Sequence, residues 1–228
     1  MSHLTRLRSS VISGLALLLL ALAPIAPAAA EDKSAAEATA KAAEAPAAAP
    51  AENNIMDGEL FEGKADAPVT ITEYSSFTCP HCASFHIDTY PSLKKKYIDT
   101  GKVKMVFRAF PLDPLAAAVS MLAKCVPADQ HFAIVHKFFL TQKSWVQSSS
   151  PVESLKKIWN EAGFDGESFD KCLTNQKVLD GILSVKAKAA QELEIESTPT
   201  FDINGEVVRG ARPFGDFEKL IKSRLSKK

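Results

Sequence analysis

The sequence predicts an α/β fold in which a short sheet is interrupted by an all-helical insertion. Three observations carry this. A strand, a helix and a second strand follow one another near the start of the globular part. From Asp113 to about Leu193 the apolar residues then repeat at helical spacing. After that the chain returns to two strands joined by Asn204-Gly205 and ends in a helix.

The first strand is Val69 to Tyr74, bounded by Pro68 and by Ser75-Ser76. Cys79 to Tyr97 reads as a helix, and Val103 to Phe110 as the second strand, opened by Gly101 and closed by Pro111. In the insertion, Leu115, Val119, Leu122 and Val126 make one helix face, and Phe132, Val135, Phe138 and Phe139 another. Ser150-Pro151-Val152-Glu153 has the form of a capping box with proline at the first helical position. Val152, Leu155, Trp159 and Ala162 are placed on that helix's inner face, and Val178, Ile182, Val185, Ala189 and Leu193 form a last stripe. Thr200 to Ile203 and Glu206 to Arg209 flank Asn204-Gly205, a pair that tolerates positive φ at both positions of a two-residue hairpin turn. Phe214, Phe217, Leu220 and Ile221 mark the terminal helix.

The 228 residues, 46% hydrophobic, suffice for one sizeable domain but not two large ones. Formal net charge is zero, which argues against a nucleic-acid partner. Lys94-Lys95-Lys96 reads as a solvated helix face. Residues 1–30 read as an export signal: Arg6 and Arg8, an apolar run from Val11 to Ala23, prolines at 24 and 27, then Ala28-Ala29-Ala30. The rival reading is an uncleaved membrane anchor. Removing these residues leaves a net charge of −2. Residues 31–52 are an Ala-rich low-complexity linker, with an oligomerisation helix as the alternative. The globular domain is placed at 53–228.

Cys79-Pro80-His81-Cys82 is the most informative segment. Pro80 suits a first helical turn and so places Cys79 at the N-cap. Free amides and the positive dipole end stabilise a thiolate there, and a protonated His81 adds to that. Cys79 is therefore the expected nucleophile and Cys82 the buried resolving thiol. Zinc would need two further ligands, but Cys125 and Cys172 are isolated in sequence. A c-type haem needs His after the second Cys, where Ala83 stands. A purely structural disulfide across so tight a loop gains little. No cofactor beyond a Cys79–Cys82 disulfide is expected. Export implies an oxidising compartment, and four cysteines then permit two disulfides in three connectivities.

Glu73 shares the Val69/Ile71 face of the first strand, so its carboxyl is expected beneath the site, with a raised pKa, exchanging protons with the Cys82 thiol; the alternative is an ordinary edge charge. Thr198-Pro199 lies directly before a strand. It reads as a routine boundary or as a cis-proline turn beside the dithiol, which would leave the Thr198 backbone free to pair with a substrate strand.

Together these features resemble the DsbA-like branch of the thioredoxin superfamily, over about residues 53–226. Pro80-His81 is that branch's dipeptide. Glu73 to Cys82 looks like its first strand and active-site turn, and Thr198-Pro199 like its cis-proline loop. The helical insertion, about 113–193, also resembles the family. The resemblance implies a thioredoxin-like fold and a bacterial periplasmic protein that oxidises or reshuffles thiols of reduced exported proteins. It also implies recharging by a DsbB-type, quinone-linked membrane oxidase. Cys125 and Cys172 are an extra pair, absent from many members, and read as a structural disulfide, with a redox-sensitive second site as the alternative. The alternatives are an isomerase or reductase of the same fold, and a redox-regulated binding or chaperone module.

Overall fold

The computed structural model describes residues 59–226. The expected export signal (1–30) and linker (31–52) lie outside the described residues. Five strands form one sheet among the described residues: β1 (Phe61–Glu62), β2 (Val69–Ser75), β3 (Val103–Ala109), β4 (Thr200–Ile203) and β5 (Glu206–Arg209). Their order is β1-β3-β2-β4-β5. β2 runs parallel to β3, with Val69 opposite Val103 and Ser75 opposite Ala109. The other pairings are antiparallel. A parallel neighbour requires a crossover connection. The helix begun at Pro80 supplies it.

That crossover is irregular. α1 (Pro80–Ser84) passes into a π turn (Phe85–Thr89), then α2 (Tyr90–Leu93) and a second π turn (Lys94–Ile98). Pro91 contributes no amide to the ladder, and the first π turn lies just before it. The sequence pattern predicts a helix here but carries no sign of the widening.

Side chains alternate across β2. Val69, Ile71 and Glu73 point to one face, where Val69 and Ile71 pack with Phe85, Leu93, Phe201, Phe217 and Ile221. This core lies between the sheet, the crossover and the terminal helix α9 (Phe214–Leu225). Asn204 and Gly205 take the positive φ values of 49° and 90° that the β4–β5 turn needs.

The insertion comprises α3 (Pro114–Cys125), α4 (His131–Leu140), α5 (Gln142–Val146), α6 (Pro151–Glu161), α7 (Gly166–Leu173) and α8 (Gln176–Glu192). Its core gathers Val119, Leu122, Phe138, Phe139, Trp145 and Trp159 with Phe77 from the active-site loop. Four details of the sequence reading need correction. The strand read as the first is preceded by the two-residue β1, which pairs with the edge of β3. Ser150 stands at the N-cap of α6 but makes no side-chain cap. Instead its N–H donates to Ser148 Oγ at 3.1 Å. Val152 is 53% exposed, and Ile158 completes the inner stripe in its place. Val185 is 39% exposed because this stretch of α8 lines a cleft of about 540 Å³ facing Tyr74 and Arg108 of the sheet. No described helix is long and apolar enough to cross a membrane.

Candidate active site

β2 ends at Ser75, and the loop Ser76-Phe77-Thr78 delivers the chain to α1. The Cys79 N–H donates to the Ser76 carbonyl at 3.1 Å, closing that turn. Cys79 is the N-cap of α1, with extended backbone and Pro80 directly following. Pro80 and His81 are exposed, Cys79 is 8% exposed and Cys82 fully buried. Both thiols are free.

The environment drives the two sulfurs apart. Cys79 is lowered from the ordinary 9.0 to about 5. The largest cause is the Cys82 S–H donated to its sulfur; the Thr198 hydroxyl and the amides of Cys82 and His81 add to it, against an opposing burial cost. Thus His81 acts through its backbone as part of the helix end. Cys82 is pushed well above 9.0, first by burial, then by the neighbouring Cys79 sulfur and the Glu73 carboxylate, while the Ser75 hydroxyl opposes the rise.

Thr198-Pro199 is cis, and the loop lies against Cys79. The Cys79 thiol donates to the Thr198 carbonyl at 3.4 Å. The buried Thr198 hydroxyl has no hydrogen-bond partner in this dithiol form. Its dipole favours a Cys79 thiolate. Glu73 is fully buried in the middle of the sheet, where its oxygens lie 3.2 and 3.1 Å from His86 Nε2.

The structure therefore assembles Cys79, Pro80, His81, Cys82, Glu73, Thr198 and Pro199 from three segments. Cys125 and Cys172 are bonded to each other, joining α3 to α7. That bond removes them as ligands for a metal at the dithiol. Sequence reasoning missed four residues. Gln142 Nε2 donates to the carbonyls of Phe77 and Cys79 at 2.7 and 2.8 Å. Asp113 caps α3 and accepts from the Thr78 hydroxyl. His86 and His136 meet through their Nδ1 atoms at 3.1 Å. Only His86 left a trace in the sequence, four residues beyond Cys82 and so on the same helix face.

Comparison with known proteins bears on the family and the fold. The family model described as Thioredoxin matches residues 56–223. The chain belongs to the thioredoxin family, in its DsbA-like branch of thiol:disulfide oxidoreductases. The crystal structure of Wolbachia pipientis alpha-DsbA1 superposes with a TM-score of 0.71 at 30% identity, covering 75% of this chain and 93% of that one. A Bacillus subtilis relative, disulfide bond formation protein D, is 28% identical over 187 residues, 76% of this chain and 80% of that protein. A Rickettsia conorii relative, named among protein-disulfide oxidoreductases, is 33% identical over 152 residues. That match covers 66% of this chain and 55% of the rickettsial protein.

Proposed function

We propose that this chain is exported to the periplasm and introduces disulfides into other exported proteins. The observation that carries this is the opposite displacement of the two thiols. A Cys79 thiolate held at about 5 stabilises the reduced form, which makes the Cys79–Cys82 disulfide an oxidant. The basic, apolar and small-residue succession in residues 1–30 supports export. The Cys125–Cys172 bond suits an oxidising compartment.

The exchange runs in two steps. A substrate thiolate attacks Cys79 Sγ of the disulfide, and Cys82 leaves and takes up a proton. A second substrate thiolate then attacks the first substrate sulfur, and Cys79 departs as a thiolate. The substrate gains a disulfide and the chain two electrons, which a DsbB-type membrane oxidase removes to quinone. Thr198 supports substrate alignment, since among the described residues its carbonyl meets no donor but the Cys79 thiol. Glu73 serves as the proton-exchanging carboxyl for Cys82.

The test is oxidation of a reduced, disulfide-free exported protein by the stoichiometric oxidised chain, followed by thiol counting. Loss of two substrate thiols per chain is expected. Efficient repair of a scrambled substrate with little net oxidation would instead indicate an isomerase. No exchange at all would leave a regulatory binding module.

A further inference from the structure

Buried Cys82 has a proton problem that the two sulfurs cannot solve alone. Each time the disulfide opens, its thiolate needs a proton, and each time the thiol attacks Cys79 that proton must leave. Cys82 is fully buried. Glu73, whose charge reaches Cys82, is equally closed to water.

We propose that His86 and His136 carry this proton between solvent and Glu73, and so to and from Cys82. The three side chains form an unbroken series. His86 is 2% exposed, with Nε2 3.2 Å from Glu73 Oε1 and 3.1 Å from Oε2. Its Nδ1 lies 3.1 Å from His136 Nδ1. His136, on α4, is only partly buried and forms the outer end. The hydrogen-bond pattern assigns a consistent tautomer set. A His136 Nδ1–H given to His86 Nδ1 leaves His86 with Nε2–H for the Glu73 carboxylate.

The surroundings hold this series in place and keep its outer member neutral. The His86 ring stacks on Phe139 at 4.1 Å, and Tyr90 lies 4.4 Å from the His136 ring. His136 is pushed down to about 4, first by burial and then by His86. The other charges acting on it are Glu62 of β1, Glu73 of β2 and Lys94 of the crossover, and Lys94 is paired with Glu62 at 2.8 Å. The Tyr90 hydroxyl is also held by Glu62. At neutral pH His136 thus keeps one free ring nitrogen, and can accept a proton on one side as it gives one from the other. One proton enters for each Cys82 thiolate released, and one leaves for each disulfide closed, so the balance over a cycle is zero.

His86 and His136 are positioning residues acting through Glu73. The proposal rests on the exchange chemistry of Cys79 and Cys82, not on the protein substrate, so the test uses glutathione disulfide. In the full-length chain, the rate at which Cys82 resolves the Cys79–glutathione mixed disulfide is followed by rapid quenching, in weak buffer. His136→Ala should slow it by about 10²-fold, as expected for loss of a positioned proton carrier. Added imidazole should restore the rate. His86→Phe preserves an aromatic ring against Phe139 and should slow resolution similarly without rescue. The alkylation midpoint of Cys79 should remain near 5 in both variants. Unchanged rates, or a slow His136→Ala rate that imidazole does not restore, would overturn the proposal. Normal glutathione kinetics without protein oxidation would sink the proposed function and leave the proton path standing.

Discussion

Cys79 and Cys82 are the same residue type three positions apart, yet their environments make them chemically unlike. Cys79 sits at a helix start with donors converging on it; Cys82 sits inside with a carboxylate nearby. Rapid alkylation of the reduced chain near pH 5 should therefore modify Cys79 alone, and Cys79→Ser should abolish exchange. Equal labelling of Cys82, read by peptide mass, would refute the assignment. The same asymmetry governs stability. The folded-state value of Cys79 lies below the unfolded 9.0, so its contribution to the reduced fold grows as pH rises from about 5 toward 9 and is lost as pH falls through 5. Denaturant midpoints of reduced and oxidised chain should favour the reduced form more just below pH 9 than at pH 5. A pH-independent difference would mean that the thiolate is not stabilised by folding.

At the level of elements, the insertion does more than cover the sheet. α5 reaches into the active-site loop through Gln142, whose side-chain amide satisfies two buried carbonyls, one of them that of Cys79 itself. α3 reaches the same loop through Asp113 and Thr78. Replacing Gln142 by Leu removes both donations and leaves the Phe77 carbonyl without this partner, while the Cys79 carbonyl keeps only the Ala83 amide at 3.2 Å, a cost of about 1–3 kcal/mol. Urea denaturation should show that loss, together with a slower exchange rate because the loop carrying Cys79 loosens. A variant as stable as the parent would show that water replaces the amide without penalty. Nothing in the local pattern around Gln142 marks it, since a glutamine after a helical turn is ordinarily a surface residue.

Across the whole molecule, the Cys125–Cys172 bond closes a span of 47 residues between α3 and α7. A loop of that length loses unfolded-state entropy worth about 4 kcal/mol in the chain-entropy account. The double Ser variant should unfold at clearly lower denaturant while its Cys79–Cys82 pair keeps exchanging thiols. Loss of exchange in a variant that remains folded would give the second pair a redox role. The insertion core holds both cysteine pairs with Phe77, Phe138 and Trp145, so it supports the active-site loop and the second disulfide together.

The sequence by itself determined the order of strands and helices from β2 onward, the hairpin at Asn204-Gly205, and the placement of Cys79 at a helix start with Cys82 three residues on. These depend on near neighbours: alternation along a strand, helical spacing, and two thiols at a helix start beside a proline. It also placed Glu73 on an inward face by period alone. What surrounds Glu73 was decided only by the tertiary structure. His136 lies 63 positions downstream, and Gln142 lies 65 from Phe77. Contacts across such separations depend on how α4 and α5 fold back over the crossover, and no local pattern encodes that. The exposure of Val152 and Val185 has the same origin, because a periodic stripe shows which side of a helix is apolar but not how far along it the neighbouring elements extend.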